Sequence, residues 1–412
     1  MKRLSHILLL ALLIGSASLS AASADTIPQA NTAKAEPSKG AVFFFGLAEK
    51  IDKFLMMGLD TAYITLPEYR WDAALTTGGT GIHATYTTWA DPSTPIALRS
   101  QTTPSLDIGF NVGYRGYGGG YSWDVLNAYS TNWNLSLGSV FIGIEFLRNV
   151  STNLTGDFAV DGVKENDFPM LNKGEIRIAN TSLSAWYALN AAHYSHNAAI
   201  KRGYIQKRTA GSLLLSLGYM SSEMNILDSA KYIRDESMSM LFDGVTGMIT
   251  RQVALGIGYG INYTPNHGKV LLHAAANMQV VCYSVNHVSY MPPAGVSLPG
   301  EPQYMLRPAS PVHVTGNMRA AVSWEINKWV NLSAWAQANN LRFASKRGDM
   351  TTLGISNWHW QAHLNVGVRF GSSKQRRRQV LGEPEPTAVP AETKPKSNMP
   401  QWVTDYFFSS MQ

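Results

Sequence analysis

The feature of this sequence that most limits its fold is a strict alternation of apolar and small polar residues. It is clearest in "SLDIGFNVGYR" (105–115), "VALGIGYGINY" (253–263), "MRAAVSWEI" (318–326) and "HLNVGVRF" (363–370). Because successive side chains of an extended strand point to opposite faces, each stretch predicts a strand with one apolar face. The sequence therefore predicts an all-β fold.

Two all-β architectures show this alternation: a soluble sandwich and a transmembrane barrel. A sandwich usually exposes Lys, Glu and Thr, whereas the polar face here is mostly Gly, Ser, Asn and Ala, and charged residues are only 15% of the chain. Small and amide side chains suit a confined lumen, and transmembrane barrels place aromatic residues near strand ends. Such aromatic residues are Trp71, Tyr114, Trp133, Tyr219, Tyr263, Trp324, Trp329 and Phe370. The pattern favours a transmembrane antiparallel β-barrel.

The number of strands follows from counting the alternating segments. Bacterial single-chain barrels have an even number of strands, short periplasmic turns and longer extracellular loops. The count here is about twelve, and from the fifth strand onward the gaps alternate long and short; the gap 89–103 departs from this rule. The predicted strands are 69–77, 80–88, 104–115, 117–127, 133–148, 176–190, 209–221, 249–264, 269–282, 312–327, 329–343 and 359–370.

Both ends of the chain lie outside the predicted barrel, which spans 60–370. Residues 1–24 combine a positive start, an apolar core and a small-residue cleavage site, which predicts a secretory signal peptide and export to the outer membrane. Residues 25–45 are predicted to be a disordered lead. Residues 46–59 predict an amphipathic helix that packs under the barrel, lies on the inner leaflet or plugs the lumen. Residues 371–412 predict a basic, Pro-rich periplasmic tail that could contact a periplasmic partner.

Composition limits the chemistry further. The single cysteine, Cys282, cannot form an intramolecular disulfide, and we interpret it as a small apolar strand residue. The formal charge of +6 is mild, so no nucleic-acid role is predicted. His359 and His363 are too far apart along a strand to share a metal. No metal site and no cofactor are predicted.

One long segment resembles a known family. "LSAWYALNAAHYSHNAAIKRGYIQKRTAGSLLLSLGYM" (183–220) is similar to the domain-of-unknown-function 4421 family, predicted outer-membrane barrels of Gram-negative bacteria. The matching positions include Tyr187, Asn190 and the run 204–212, and His196 stands where the family pattern has an aromatic residue. "DTAYITLPE" (60–68) and "LGIGYGINYTPNHGKVLLH" (255–273) resemble further family segments. The resemblance implies the barrel fold and the compartment, and it implies no activity.

The connection at 191–208 is the first candidate site. We interpret it as a periplasmic turn just below the membrane, where its basic residues could meet phosphate head groups. The turn motif consists of Tyr204, Gln206, Lys207, Arg208 and Gly211. A hydrolase reading of His193 and Ser195 is disfavoured because the sequence supplies neither a positioned carboxylate nor a Gly-x-Ser-x-Gly elbow.

The inward face of the strands is the second candidate site. Opposite charges in a narrow lumen must pair, because an unpaired charge there is costly. The candidate selectivity residues are Asp107, Asn111, Arg115, His273, Arg319, Glu325, His363 and Arg369.

Three functions remain open. The first is a narrow channel or passive transporter for small solutes, the second is a closed barrel that serves as a structural or surface-binding scaffold, and the least favoured is a membrane-embedded hydrolase. The chain is predicted not to be an enzyme. Its expected partners are outer-membrane lipid, a small solute and a periplasmic protein bound by the tail.

Overall fold

The computed structural model describes most of the segment between residues 46 and 371. The described residues are 46, 50–91, 94–103, 105–126, 130–161, 163–164, 172–201, 203–227, 245–265, 269–290, 303–310, 312–347 and 350–371. The predicted signal peptide and lead, and the predicted tail beyond residue 371, lie outside this range. Two short helices are α1 (residues 50–56) and α2 (Ala198–Lys201). No helix in these described residues is long and apolar enough to cross a membrane.

Strands make up most of the described chain. In chain order they are β1 (Ile64–Thr65), β2 (Trp71–Asp91), β3 (Thr94–Thr102), β4 (Asp107–Tyr114), β5 (Tyr117–Asp124), β6 (Ser130–Gly138), β7 (Ile142–Ser151), β8 (Leu154–Val160), β9 (Val163–Lys164), β10 (Ile176–Ala188), β11 (Ile205–Gln206), β12 (Ala210–Ile226), β13 (Val245–Tyr263), β14 (Val270–Tyr290), β15 (Gln303–Leu306), β16 (His313–Glu325), β17 (Val330–Arg347) and β18 (Met350–Phe370).

Twelve of these strands close into an antiparallel ring. Its order is β2, β4, β5, β6, β7, β10, β12, β13, β14, β16, β17 and β18, and β18 pairs again with β2, with Trp71 opposite Phe370. Closure removes the exposed sheet edges that an open sheet would leave. The predicted barrel of about twelve strands is confirmed. We call the end at Trp71 and Phe370 the terminal end, and the opposite end the loop end.

The count of twelve hides two errors in the predicted strands. The segments predicted at 69–77 and 80–88 are the single strand β2. Gly78 and Gly79 do not form a turn between them; a Cβ at Gly78 would overlap the backbone oxygen of Ala362 on β18. Conversely, the segment predicted at 133–148 belongs to two strands, β6 and β7. Their turn has no Gly or Pro, and the Ser139 hydroxyl accepts hydrogen bonds from the backbone N–H groups at 141 (3.3 Å) and 142 (3.4 Å).

The barrel is extended at its loop end by strands in segments that were predicted to be loops. β3 pairs with the loop-end half of β2, and β8 pairs with β3. Strands β4 to β7 have 8 to 10 residues, whereas β2, β14 and β18 each have 21. A tilted strand of about ten residues is long enough to cross a bilayer, so β2, β14 and β18 are about twice as long as one crossing requires.

The outer face carries an apolar belt between two groups of aromatic residues. Outward side chains such as Leu213, Leu215 and Leu217 on β12 are each about half exposed. At the terminal end Trp71 packs edge-on against Tyr114, with ring centroids 4.9 Å apart, and toward the loop end Tyr121 packs against Trp133 at 4.5 Å. Large exposed apolar side chains of this kind are stable against lipid, and aromatic residues favour the two interfaces.

Two apolar clusters fill the interior at different heights. The loop-end cluster contains 17 buried residues, among them Tyr86, Phe158, Met224 and Phe343. The terminal-end cluster contains 14 buried residues, among them Leu55, Trp186, Tyr194 and Tyr204. Between them the inward face is polar, so the lumen is a polar chamber between two apolar layers.

Candidate functional site

The terminal-end layer is built largely by the connection between β10 and β12, residues 191–208, which we call the plug. Its side chains Tyr194, Ala199 and Ile200 are at most 5% exposed. Helix α2 within the plug contacts β14, β16 and β17, which lie beyond β12 and β13 around the ring. The plug therefore lies inside the terminal end of the ring, because its small and aromatic residues are buried against the inner wall.

Gln206 holds the plug in place. Its Nε2 donates to the carbonyl oxygens of His193 (2.6 Å) and Arg208 (3.0 Å), and its Oε1 accepts from the backbone N–H of Ser195 (3.1 Å). The side chain of Asn262, on the wall strand β13, donates to the same Oε1 at 3.1 Å. One buried amide thus ties both ends of the plug to the wall.

The other motif residues lie around this anchor. Tyr204 is buried in the terminal-end cluster. Lys207 Nζ donates to the Thr61 carbonyl at 3.0 Å, and the Arg208 guanidinium lies 5.5 Å from the Tyr63 ring centroid. Gly211 is the second residue of β12, and a Cβ there would overlap the Tyr259 hydroxyl.

In this structure the contacts of His193 are with groups other than the Ser195 hydroxyl. His193 Nε2 lies 3.4 Å from an Asp60 carboxylate oxygen, and its Nδ1 lies 2.9 Å from the Asn190 side-chain oxygen. Both ring nitrogens are therefore occupied by other groups. A general base needs a free nitrogen within hydrogen-bond reach of the nucleophile.

An ion pair crosses the polar chamber. Arg319 on β16 pairs with Glu145 on β7, and these strands lie on nearly opposite sides of the ring. Arg319 also donates to Gln337 Oε1 from Nη2 at 2.6 Å and from Nε at 3.2 Å. The two charged side chains are only 11% and 7% exposed, so the pair is a buried brace across the lumen.

A cavity of about 70 Å³ adjoins this brace and is lined by Glu145, Trp186, His196, Arg319 and Gln337, among others. The nearby His196 lies 3.0 Å from the Tyr194 hydroxyl through its Nδ1. Buried polar atoms nearly always have a partner, and a polar cavity of this size holds water. This cavity therefore has room for a few waters.

The remaining candidate lumen residues on the strands are all placed inside the barrel, and most pair locally. Arg369 Nη2 donates to Glu325 at 2.7 Å, and Thr80 and the Asn132 amide each donate to Asp107 at 2.8 Å. The other contacts are Asn111 to Thr76 (2.6 Å), His273 to Asn262 (2.8 Å) and His363 beside Trp335 (ring centroids 4.9 Å).

Arg115 follows β4 at the terminal end and clamps α1 to the barrel. Its Nε donates to Asp52 at 2.9 Å, and Arg70 Nη2 donates to the same carboxylate at 2.9 Å. Burial lowers the pKa of the Arg115 guanidinium, and the charge of Asp52 acts in the opposite direction. This clamp places α1 beneath the barrel wall.

Sequence reasoning missed Glu145 and Gln206 as structural partners. The face of Glu145 was not assigned because two strands were predicted as one, and the hydrogen bonds of Gln206 depend on a plug that has no strand period. Among the described residues no group of three or more His, Cys, Asp or Glu side chains could hold a metal ion.

Comparison with known proteins gives a family. The model of the domain of unknown function DUF4421 matches residues 58–370. The chain belongs to this family. No curated protein matches it. The match covers the ring, the plug and the loop-end extension of this DUF4421 protein.

Several solved barrels align with it at low identity. The outer membrane protease OmpT from Escherichia coli is 10% identical, with 74% of this chain and 98% of that chain covered and a TM-score of 0.38. OprG from Pseudomonas aeruginosa is 11% identical, with 74% and 98% covered and a TM-score of 0.25. Neisserial surface protein A is 9% identical, with 72% and 97% covered and a TM-score of 0.21.

Proposed function

We propose that this DUF4421 protein is an outer-membrane barrel that stays closed to solutes and serves as a rigid scaffold. The observation that carries the proposal is the buried Arg319–Glu145 pair across the chamber, with an apolar layer above it and another below. A diffusion pore needs a continuous polar path, and each apolar layer interrupts one. The geometry thus favours the scaffold over the channel.

The placement in the membrane is part of this proposal. The apolar belt with its two aromatic groups supports insertion, and short turns at the terminal end support a periplasmic orientation of that end. The loop end would then face outward. Its long strands, packed around 17 buried residues, form a solid extension on which outer loops can be held.

The experiment is a current recording from folded, signal-free protein in a planar lipid bilayer. Folding is checked in the same sample by the shift of gel mobility on heating. We expect a folded sample with no conductance steps. Steady steps from the wild-type protein, present in every folded preparation, would overturn the closed-barrel proposal.

The channel is the second candidate, and one observation favours it. Inward polar atoms of the chamber, including Asn277 Oδ1, Gln361 Nε2 and His359 Nε2, have no hydrogen-bond partner among the described protein atoms. Since buried polar atoms require partners, these groups suit a hydrated path. Such a path would conduct only if the plug and the loop-end cluster both moved aside. The current recording distinguishes the two candidates.

A further inference from the structure

The outer wall carries a groove at its loop-end boundary. The groove has a volume of about 590 Å³ and crosses β2, β18 and β17. Its floor is made of small outward residues, and one side is formed by residues 308–310, which follow β15. Its polar lining includes Thr85, Thr87, Ser310, Arg342 and Ser356.

The height of the groove is set by its neighbour Trp358 on β18, an outward side chain that is 38% exposed. On β17 and β18, Asn340 lies opposite Trp358. The next outward pair toward the loop end is Arg342 opposite Ser356. Outward Trp residues of a barrel mark the membrane interface. The groove therefore begins where the apolar belt ends, at the level of lipid head groups.

The chemistry of the groove fits an anion. Arg342 is exposed, and its guanidinium has no hydrogen-bond or ion-pair partner among the described residues, although its backbone carbonyl accepts a hydrogen bond from Gln252. Among the described residues that line the groove, none is acidic. The hydroxyls of Thr85, Thr87 and Ser356 add hydrogen-bond donors around the Arg342 guanidinium.

Further outward arginines lie at a similar height around the barrel. Arg148 on β7 is directly opposite Trp133 on β6. Arg251 on β13 is exposed and lies two residues from Val253, which is opposite the outward Tyr283. Arg148 thus lies directly across from an aromatic residue, and Arg251 lies two residues along its strand from the partner of one. Both aromatic residues lie on the loop-end side of the apolar belt. Such a belt of arginines is complementary to the phosphates of the adjoining leaflet.

We propose that this groove binds the phosphorylated head group of an outer-leaflet lipid, with Arg342 contacting the phosphate. The hydroxyls of the floor and of Ser310 hydrogen-bond the remaining oxygens of the head group. The small residues Ala344 and Gly354, which face each other across β17 and β18, leave the space for it. This inference rests on the membrane placement in the proposed function and adds the lipid class.

The test uses the full mature chain folded into phosphatidylcholine nanodiscs that contain a small fraction of lipid A. Retention of lipid A is measured by native mass spectrometry after the disc is removed. The comparison lipid is lipid A with both phosphates removed, and inorganic phosphate serves as a free competitor. We expect the protein to retain phosphorylated lipid A at least about tenfold better than the dephosphorylated form, the size of one charge-assisted hydrogen bond.

Two variants locate the site. Arg342→Gln removes the charge, and Ala344→Trp fills the groove while Arg342 stays; both are expected to abolish the preference for phosphorylated lipid A. The matched control is Arg177→Gln, because this outward arginine is already paired with Glu223 at 3.2 Å and does not line the groove. The control is expected to keep the wild-type preference.

Equal retention of the two lipids by the wild-type protein would overturn the inference, and so would an Arg342→Gln variant that keeps the preference. Complete displacement of lipid A by inorganic phosphate would also overturn it, because the groove would then be a site for free phosphate. Each of these leaves the closed-barrel proposal intact, because that proposal is judged by current. A protein that does not insert into the lipid disc would instead count against the membrane placement.

Discussion

Arg319 and Glu145 join nearly opposite walls of the barrel through one buried ion pair, and Gln337 Oε1 accepts two further hydrogen bonds from the guanidinium. A buried ion pair adds little net stability to the folded protein, but removal of one partner leaves the other charge buried and unpaired, which is strongly destabilising. This asymmetry makes the brace testable by paired substitutions.

We expect Arg319→Met to destabilise the folded barrel by about 3 kcal/mol, because Glu145 is then left unpaired. Glu145→Leu should have a similar effect. The double variant should be more stable than either single variant, since neither charge remains. Urea unfolding in lipid vesicles, followed by tryptophan fluorescence, measures the four free energies of unfolding of this double-mutant cycle. Additive losses in the double variant would show that the two side chains do not interact.

Much of the barrel is predictable from local pattern, whereas the closure of its lumen is not. The alternation in 253–263 and 363–370 is sufficient to assign inward and outward faces, because a strand has a period of two whatever its neighbours are. The plug has no such period. The partners of Tyr194 and Gln206 come from β13 and from distant parts of the plug, so no local pattern predicts whether the segment lies below the barrel or inside it.

The same distinction explains the errors in the strand list. "TTGGTG" on β2 has the composition of a turn, but Gly81 is required by the Trp360 indole of a strand that follows almost three hundred residues later. The turn at 139–141 has no glycine or proline and is stabilised by the Ser139 hydroxyl instead. In both places a tertiary or side-chain contact outweighs the local composition.

The plug is expected to seal the chamber from the terminal end. Ser216 lines the chamber cavity, so a cysteine there reports access from that side. In a Cys282→Ser background, Ser216→Cys should be unmodified by a membrane-impermeant maleimide, and it should be modified when residues 192–207 are replaced by a short Gly-Asn turn. Both proteins should remain silent in current recordings, because the loop-end cluster still closes the other side. Rapid modification of Ser216→Cys with the plug intact would contradict the seal.

The Gln206 anchor predicts how firmly the plug is held. Gln206→Met keeps the length of the side chain but removes four hydrogen bonds, and each buried group left unpaired costs about 1–3 kcal/mol. We expect the plug to open more often, so that trypsin cleaves after Lys201 or Lys207 in the variant much faster than in the wild-type protein. Cleavage is followed by mass spectrometry of the fragments. The control is Gln101→Met, at an exposed position on β3, which should be cleaved at the wild-type rate.

Gly260 on β13 is expected to be intolerant of any side chain because the plug lies against it. A Cβ at this position would overlap the hydroxyl of Tyr194, which is fully buried and cannot move aside freely. Gly260→Ala should therefore lower the unfolding temperature of the barrel, measured by the gel-mobility shift on heating, and should also increase tryptic cleavage of the plug. Tyr194→Phe removes the atom that overlaps most, so the double variant Tyr194→Phe/Gly260→Ala should recover part of the loss. Gly316→Ala is the matched control, because a Cβ there meets only one backbone oxygen at 3.4 Å. If Gly260→Ala were as stable as Gly316→Ala, the plug would not be pressed against β13 in the folded protein.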